Sequence, residues 1–296
     1  MKTTLIILLF SFSFAYSFSQ QLKYEIVKDD PSLRSIANLY ISTQFAIEFP
    51  FFGRMDAKGD AVDAATLGIG FNVHGIAKEK YFFDAHYHRG TWFTGLSGYA
   101  AHRVDVGAAK LFSEKSEQKM MRVNLATKDR GTDLRGRKVV ESKWINLTGT
   151  EYKYRSLRGG LYYQSMDFGG AFDEQKFRGV SNNYGVYAGI SRGRVVNLEA
   201  KVGNYKHSKG VKNYGRLYAD AILAPGGVNL TEGDQTESPT NFPFGFRAGW
   251  DRYVPSTGIF AGNWRMEIGY LPGFNGLYAQ INLGFTIRSK LLFLNS

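Results

Sequence analysis

Residues Gly276 to Arg288 read GLYAQINLGFTIR, and every second residue after the opening glycine is apolar. Leu277, Ala279, Ile281, Leu283, Phe285 and Ile287 form one set; Tyr278, Gln280, Asn282, Gly284, Thr286 and Arg288 form the other. Successive side chains of a β-strand point to opposite faces, so the stretch predicts a strand with one greasy and one polar face. The fold turns on which medium meets each face. A water-soluble sandwich packs its greasy faces against each other, whereas a membrane barrel turns them outward to lipid.

The same alternation recurs upstream from about Ile41. Leu67, Ile69, Phe71 and Val73 alternate with Gly68, Gly70, Asn72 and His74; Met121, Val123 and Leu125 with Arg122, Asn124 and Ala126; Tyr184, Val186, Ala188 and Ile190 with Gly185, Tyr187, Gly189 and Ser191. Further segments start at Val196, Leu217, Phe244 and Trp264. The face opposite the apolar one is rich in glycine and in isolated, opposed charges, which suits a crowded lumen better than open solvent. Tyr184, Trp250, Trp264 and Tyr270 stand near segment ends, where amphipathic rings meet a lipid–water boundary. The prediction is an all-β fold: one antiparallel transmembrane β-barrel. Such barrels normally have an even number of strands, and phase breaks at Val139–Gln164 and Arg103–Phe112 leave that number at twelve or fourteen.

The chain has 296 residues, no cysteine and a net charge of +11. Its mean hydropathy of -0.26 is compatible with a barrel, because a barrel strand offers lipid only alternate residues. MKTTLIILLFSFSFAYSFSQQ places Lys2 before an apolar run from Leu5 to about Phe18, the pattern of a secretory signal over 1–19. Without cysteine the exported chain is expected to carry neither a lipid anchor nor disulfides. Residues 20–40 are read as a periplasmic or plug segment. Within it DDPSLRSIANLY predicts a short helix, with Asp30 as cap, Pro31 at the first position and Leu33, Ile36, Ala37 and Tyr40 on one face. Residues 41–296 are the barrel. The basic balance is expected to meet lipopolysaccharide phosphates and acidic glycans, not nucleic acid.

In this pattern the chain resembles bacterial outer-membrane β-barrel proteins, from about Ile41 to the C-terminus. The closing strand YAQINLGFTIR looks like the terminal signal such barrels present to their insertion machinery, although the chain continues through SKLLFLNS. The resemblance implies the barrel fold and an outer-membrane location, and no subfamily.

The densest polar cluster is FNVHGIAKEKYFFDAHYHRG. If Lys78 to Lys80 is a turn, His74 pairs with Asp84 and Asn72 with His86, and His88 shares their face. This is expected to be a lumenal hydrogen-bond network; two or three imidazoles with one carboxylate are a weak signal for zinc, and no metal or other cofactor is assigned. The lumen face also carries near-balanced charges, Arg103 with Asp105, Glu199 with Lys201, Arg216 with Asp220, Arg247 with Asp251 and Arg265 with Glu267, which predict a narrow or occluded interior. Arg130, Arg135, Arg137 and Lys138 cluster in TKDRGTDLRGRKVVESK, either as a solvated hairpin or as a lipopolysaccharide-binding loop. The stretch from Pro225 to Thr240 reads as a long turn.

An enzyme at the barrel rim would need a nucleophile and a base. Among the histidines only His102 falls at an outward strand end, and no serine stands persuasively near it and no Gly-x-Ser-x-Gly elbow occurs. The expectation is a non-enzymatic barrel, an accessory or structural subunit of an envelope complex for secretion, assembly or surface export. The alternative is a small porin or solute channel, and a lipid-modifying enzyme ranks third. Expected partners are outer-membrane lipids, lipopolysaccharide and other envelope proteins.

Overall fold

The computed structural model describes residues 23–31, 39–52, 62–63, 66–77, 80–93, 97–172, 175–203, 205–232, 235–237, 242–254, 260–272 and 276–288. The expected signal segment 1–19, residues 32–38 of the expected helix and the SKLLFLNS tail lie outside these. The strands are β1 (Tyr24–Asp29), β2 (Leu39–Phe52), β3 (Val62–Asp63), β4 (Thr66–Ala77), β5 (Tyr81–Phe93), β6 (Ser97–Thr132), β7 (Lys138–Phe172), β8 (Gln175–Val202), β9 (Lys209–Leu223), β10 (Gly226–Glu232), β11 (Gln235–Glu237), β12 (Phe244–Val254), β13 (Phe260–Leu271) and β14 (Gly276–Arg288). Among the described residues there is no helix. Tyr40, expected on the helical face, belongs to β2.

The chain divides into two compact units. The larger takes residues 30–119, 149–197 and 212–296. In it β8, β7, β6, β5, β4, β2, β14, β13, β12 and β9 are hydrogen-bonded in that order, and β9 returns to β8. The result is an antiparallel, nearly closed barrel of about ten strands. A ring of this kind leaves few strand-edge N–H and C=O groups unpaired, which is the condition for putting a sheet in lipid.

Among the described residues the ring has about nine or ten strands, fewer than the twelve or fourteen expected. Alternation alone divides the chain into pieces of spanning length, about 9–11 residues, at every break of phase. But β6 is a single strand of 36 residues and β7 one of 35, so consecutive alternating segments are parts of one strand. The Pro225–Thr240 turn is also corrected: β10 continues past Pro225 along β8, pairing Gly226 with Asn183 and Glu232 with Phe177, and β11 folds back on it.

The faces of the larger unit sort by burial. On β14, Tyr278, Gln280 and Asn282 are buried while Leu277, Leu283 and Phe285 are exposed. On β13, Arg265 and Glu267 are buried while Met266 and Ile268 are exposed, and Leu67, Ile69 and Phe71 continue the exposed apolar surface on β4. Trp250 on β12 and Trp264 on β13 meet edge to face at 4.4 Å. This arrangement has its polar side inside and its greasy side outside, the inverse of a water-soluble protein.

The smaller unit takes residues 1–29, 120–148 and 198–211. There the polarity of the alternation is reversed: Met121, Val123, Leu125, Leu147, Leu198, Ala200 and Val202 are buried. β1 adds itself to β8, pairing Glu25 with Lys201 and Lys28 with Glu199, so opposite charges face each other across the ladder. Residues 24–29, within the segment expected to precede the sheet, are therefore strand. The β6–β7 hairpin turns at Asp133–Arg137, where the Gly136 N–H donates to Asp133 O at 2.9 Å. Gly131 and Gly136 hold positive φ of 87° and 73° there, which glycine adopts without the steric cost of a Cβ.

Candidate functional site

The polar interior of the larger unit starts from the β4–β5 hairpin. Its register is the one the Lys78–Lys80 turn predicts: His74 opposes Asp84, Asn72 opposes His86 and Gly70 opposes His88. His74 Nδ1 and Asp84 Oδ1 are directly bonded, and both His74 and His88 are almost fully buried. His86 Nδ1 lies 3.6 Å from Asp105 Oδ2 on β6. Among the described residues no group of three or more His, Asp and Glu is placed to hold a metal ion.

Around this hairpin the interior charges are exchanged among strands that are remote in sequence. Arg216 Nη1 donates to Asp84 Oδ2 at 2.8 Å, and its Nη2 donates to Asp251 Oδ2 at 2.7 Å. Arg247 Nε donates to Asp220 Oδ2 at 2.8 Å while its Nη1 lies 2.8 Å from Asp105 Oδ2. Arg158 Nε is 3.2 Å from Asp220 Oδ1. Arg103 Nη2 lies 2.9 Å from Glu267 Oε1, and Arg265 Nη2 donates to Glu267 Oε2. The same carboxylate accepts from the Tyr278 hydroxyl at 2.7 Å and from the Tyr218 hydroxyl. Five arginines (103, 158, 216, 247 and 265) thus meet five carboxylates (Asp84, Asp105, Asp220, Asp251 and Glu267), and the formal charges cancel.

Tyrosines fill the space between the ion pairs. The Arg158 guanidinium sits 4.4 Å from the Tyr218 ring centroid and the Arg247 guanidinium 4.6 Å from that of Tyr187. Their seats explain why the inner face is so rich in glycine. A Cβ at Gly107 would strike Tyr187, one at Gly193 would strike Tyr154, and one at Gly249 would strike Tyr218. Each ring lies over bare backbone, which strengthens a glycine-weakened position in the sheet. The arrangement is chemically a cross-braced polar filling, in which each of the five arginines lies within ion-pair distance of at least one of the five carboxylates.

Of the residues read from sequence as the network, His74, Asp84, His86, His88, Arg216, Asp220, Arg247, Asp251, Arg265 and Glu267 lie together here. Glu199 and Lys201 do not. They belong to the smaller unit, where Lys201 is exposed and the residues between and beside them are the buried ones. The error came from carrying one face assignment through a strand whose surroundings invert. Sequence reasoning missed Arg158, Tyr154 and Tyr162, which sit in the phase-broken stretch of β7, and Tyr214; the alternation already puts Tyr187, Tyr218 and Tyr278 on the polar face, though not in the network. Tyr154, Tyr162, Tyr187, Tyr218 and Tyr278 each stand opposite a glycine, whereas Tyr214 stands opposite Tyr253.

The basic hairpin residues are mostly neutralised where they stand. Arg130 Nε donates to Glu141 Oε2 at 2.6 Å, Arg137 Nη2 lies 2.8 Å from Asp133 Oδ2, and Lys138 Nζ lies 2.9 Å from Asp129 Oδ2. The Lys138 ammonium, then the Gly131 N–H, holds the Asp129 carboxyl below its ordinary range. The Arg137 N–H does most of the same for Asp133. Arg135 gives its backbone N–H to Asp133 Oδ1 at 2.9 Å. The hairpin is therefore a folded, salt-bridged turn, and its cations are not gathered around one vacant anion position. On the outer wall of the larger unit the His102 Nδ1 and the Tyr87 hydroxyl share a hydrogen bond of 3.0 Å.

The sequence matches no protein-family model and no curated protein at a significant level. Among solved structures, the translocator domain of the autotransporter NalP from Neisseria meningitidis is 11% identical, with 85% of this chain and 88% of that chain covered at a TM-score of 0.34. The β domain of the Bordetella autotransporter BrkA is 12% identical over 84% of this chain and 99% of that one, TM-score 0.26. An outer-membrane channel from Pseudomonas putida F1 is 8% identical over 85% and 95%, TM-score 0.26. Superpositions this loose carry no functional argument, and the barrel reading rests on the strand ring itself.

Proposed function

We propose that this protein is a sealed, non-enzymatic β-barrel of the bacterial outer membrane, serving as an accessory or structural subunit of an envelope complex. The observation that carries the reading is the interior of five arginines and five carboxylates, joined mostly across strands and packed with tyrosine. A pore that sorts ions keeps water and a field along its path; here the field is cancelled locally and the space is occupied by side chains. The outward apolar surface supports the membrane location, and exposed Leu134, Val140 and Trp144 in the smaller unit support a docking role. Export by the N-terminal segment and contact with lipopolysaccharide belong to the same proposal.

Single-channel recording in planar bilayers tests it. A sealed barrel gives no discrete current steps at any holding voltage. Regular steps from the wild-type protein would replace this reading with that of a small porin.

A further inference from the structure

A second polar feature lies on the outside of the larger unit, where the apolar surface ends. Leu157, Ile190 and Leu217 are well exposed, and two residues along from the first two, on the same face, stand Arg155 and Arg192. Alternation fixes this orientation, because Ser156 and Ser191 are buried and bonded to each other through their hydroxyls on the inner side. Between β7, β8, β9 and β12 a groove of about 410 Å³ opens here, lined among others by Lys119, Lys153, Arg192, Arg194, Leu217 and Trp250.

The register sets like charges directly against each other: Arg155 opposes Arg192 and Lys153 opposes Arg194. Like charges directly opposite on a sheet destabilise it, and an anion seated between them would offset that cost. The lysines have protein partners. Lys153 bonds Glu117 and lies 3.3 Å from Glu151, and Lys119 lies 3.5 Å from Glu151. For Arg155, Arg192 and Arg194 no ion pair exists among the described residues, so three guanidinium groups on one outward face remain uncompensated. Guanidinium forks match phosphate oxygens bidentately, and an aromatic beside the apolar boundary marks the depth at which lipid phosphates lie.

From this geometry we infer that the groove binds the phosphate headgroup of an anionic phospholipid, with its acyl chains along Leu157, Ile190 and Leu217. This rests on the membrane-barrel reading. The site differs from the β6–β7 hairpin, whose cations are largely matched by its own acids.

The test uses the full-length mature protein in nanodiscs of mixed phosphatidylglycerol and phosphatidylcholine, with retained lipids counted by native mass spectrometry. Wild type should retain phosphatidylglycerol preferentially. Arg192→Gln with Arg194→Gln should cut that preference about thirtyfold, since each basic group near a membrane surface contributes about 1 kcal/mol, and Arg155→Gln by less. Both arginines are exposed and repel their neighbours, so the variants should keep the faster gel migration of the unboiled barrel. Equal retention of the two lipids by wild type, or an unchanged preference in the double variant, overturns the site. Displacement by inorganic phosphate or by lipid A in place of phosphatidylglycerol overturns it as well. Failure of the wild type to enter nanodiscs overturns the membrane reading itself, which separates the two.

Discussion

Replacing Glu267 with glutamine tests whether the interior is dry. Sequence alternation alone predicts tolerance, because a lone lumenal carboxylate bathed in water loses only a screened ion pair, worth about 0–1 kcal/mol. The structure predicts otherwise. Glu267 is 1% exposed and its two oxygens meet Arg103, Arg265, Tyr218 and Tyr278. Glutamine keeps one acceptor oxygen, so a tyrosine hydrogen bond survives. Two guanidinium groups, however, lose their shared counter-charge without gaining water. Removing one member of a buried ion pair costs about 3–5 kcal/mol, because the other charge is left uncompensated. Urea unfolding of the detergent- or vesicle-reconstituted barrel, followed by tryptophan fluorescence, should therefore show a loss of about 3 kcal/mol or more. Arg103→Gln added to Glu267→Gln should recover part of it. A loss under about 1 kcal/mol would mean that water reaches the pair, and the sealed-interior argument would fail with it.

The neighbouring outward position gives a second outcome: Met266→Arg should cost about 2–4 kcal/mol in vesicles if it lies near the bilayer midplane, whereas an effect within about 0.5 kcal/mol would mean that this face meets water. A third concerns pH. The hydrogen bond from Lys115, then that from Lys153, lowers the Glu117 carboxyl from 4.5 to about 2. Its folded pKa is depressed, so the stabilisation is complete above the ordinary carboxylate range and is lost as the pH falls toward 2. The difference in thermal midpoint between wild type and Glu117→Gln should accordingly shrink between pH 5 and pH 2, and a difference that is constant over that window would exclude the pair as its source.

The sequence by itself determined the faces of the barrel and the local pairings. A period of two is written residue by residue, so Tyr278, Gln280 and Asn282 against Leu277, Leu283 and Phe285 needed no tertiary information. A turn expected at Lys78–Lys80 likewise puts His74 opposite Asp84, the pairing observed. Alternation carries no mark of the medium, however. Along the 36 residues of β6 the buried face holds Arg103 and Asp105 in one stretch and Met121, Val123 and Leu125 in the next, while Val106 is exposed on the opposite face, so apolar residues stand on either side of one strand. Strand number and the fate of Glu199 and Lys201 were therefore illegible, because both depend on what packs against the strand. Only the tertiary structure decided which arginine meets which carboxylate. Arg216 and Asp84 are 132 residues apart, and they meet because the sheet curls into a ring that brings β9 and β5 across one interior. The lipid-facing groove has the same origin: each arginine is unremarkable within its own strand, and the register of β7 on β8 sets the like charges side by side.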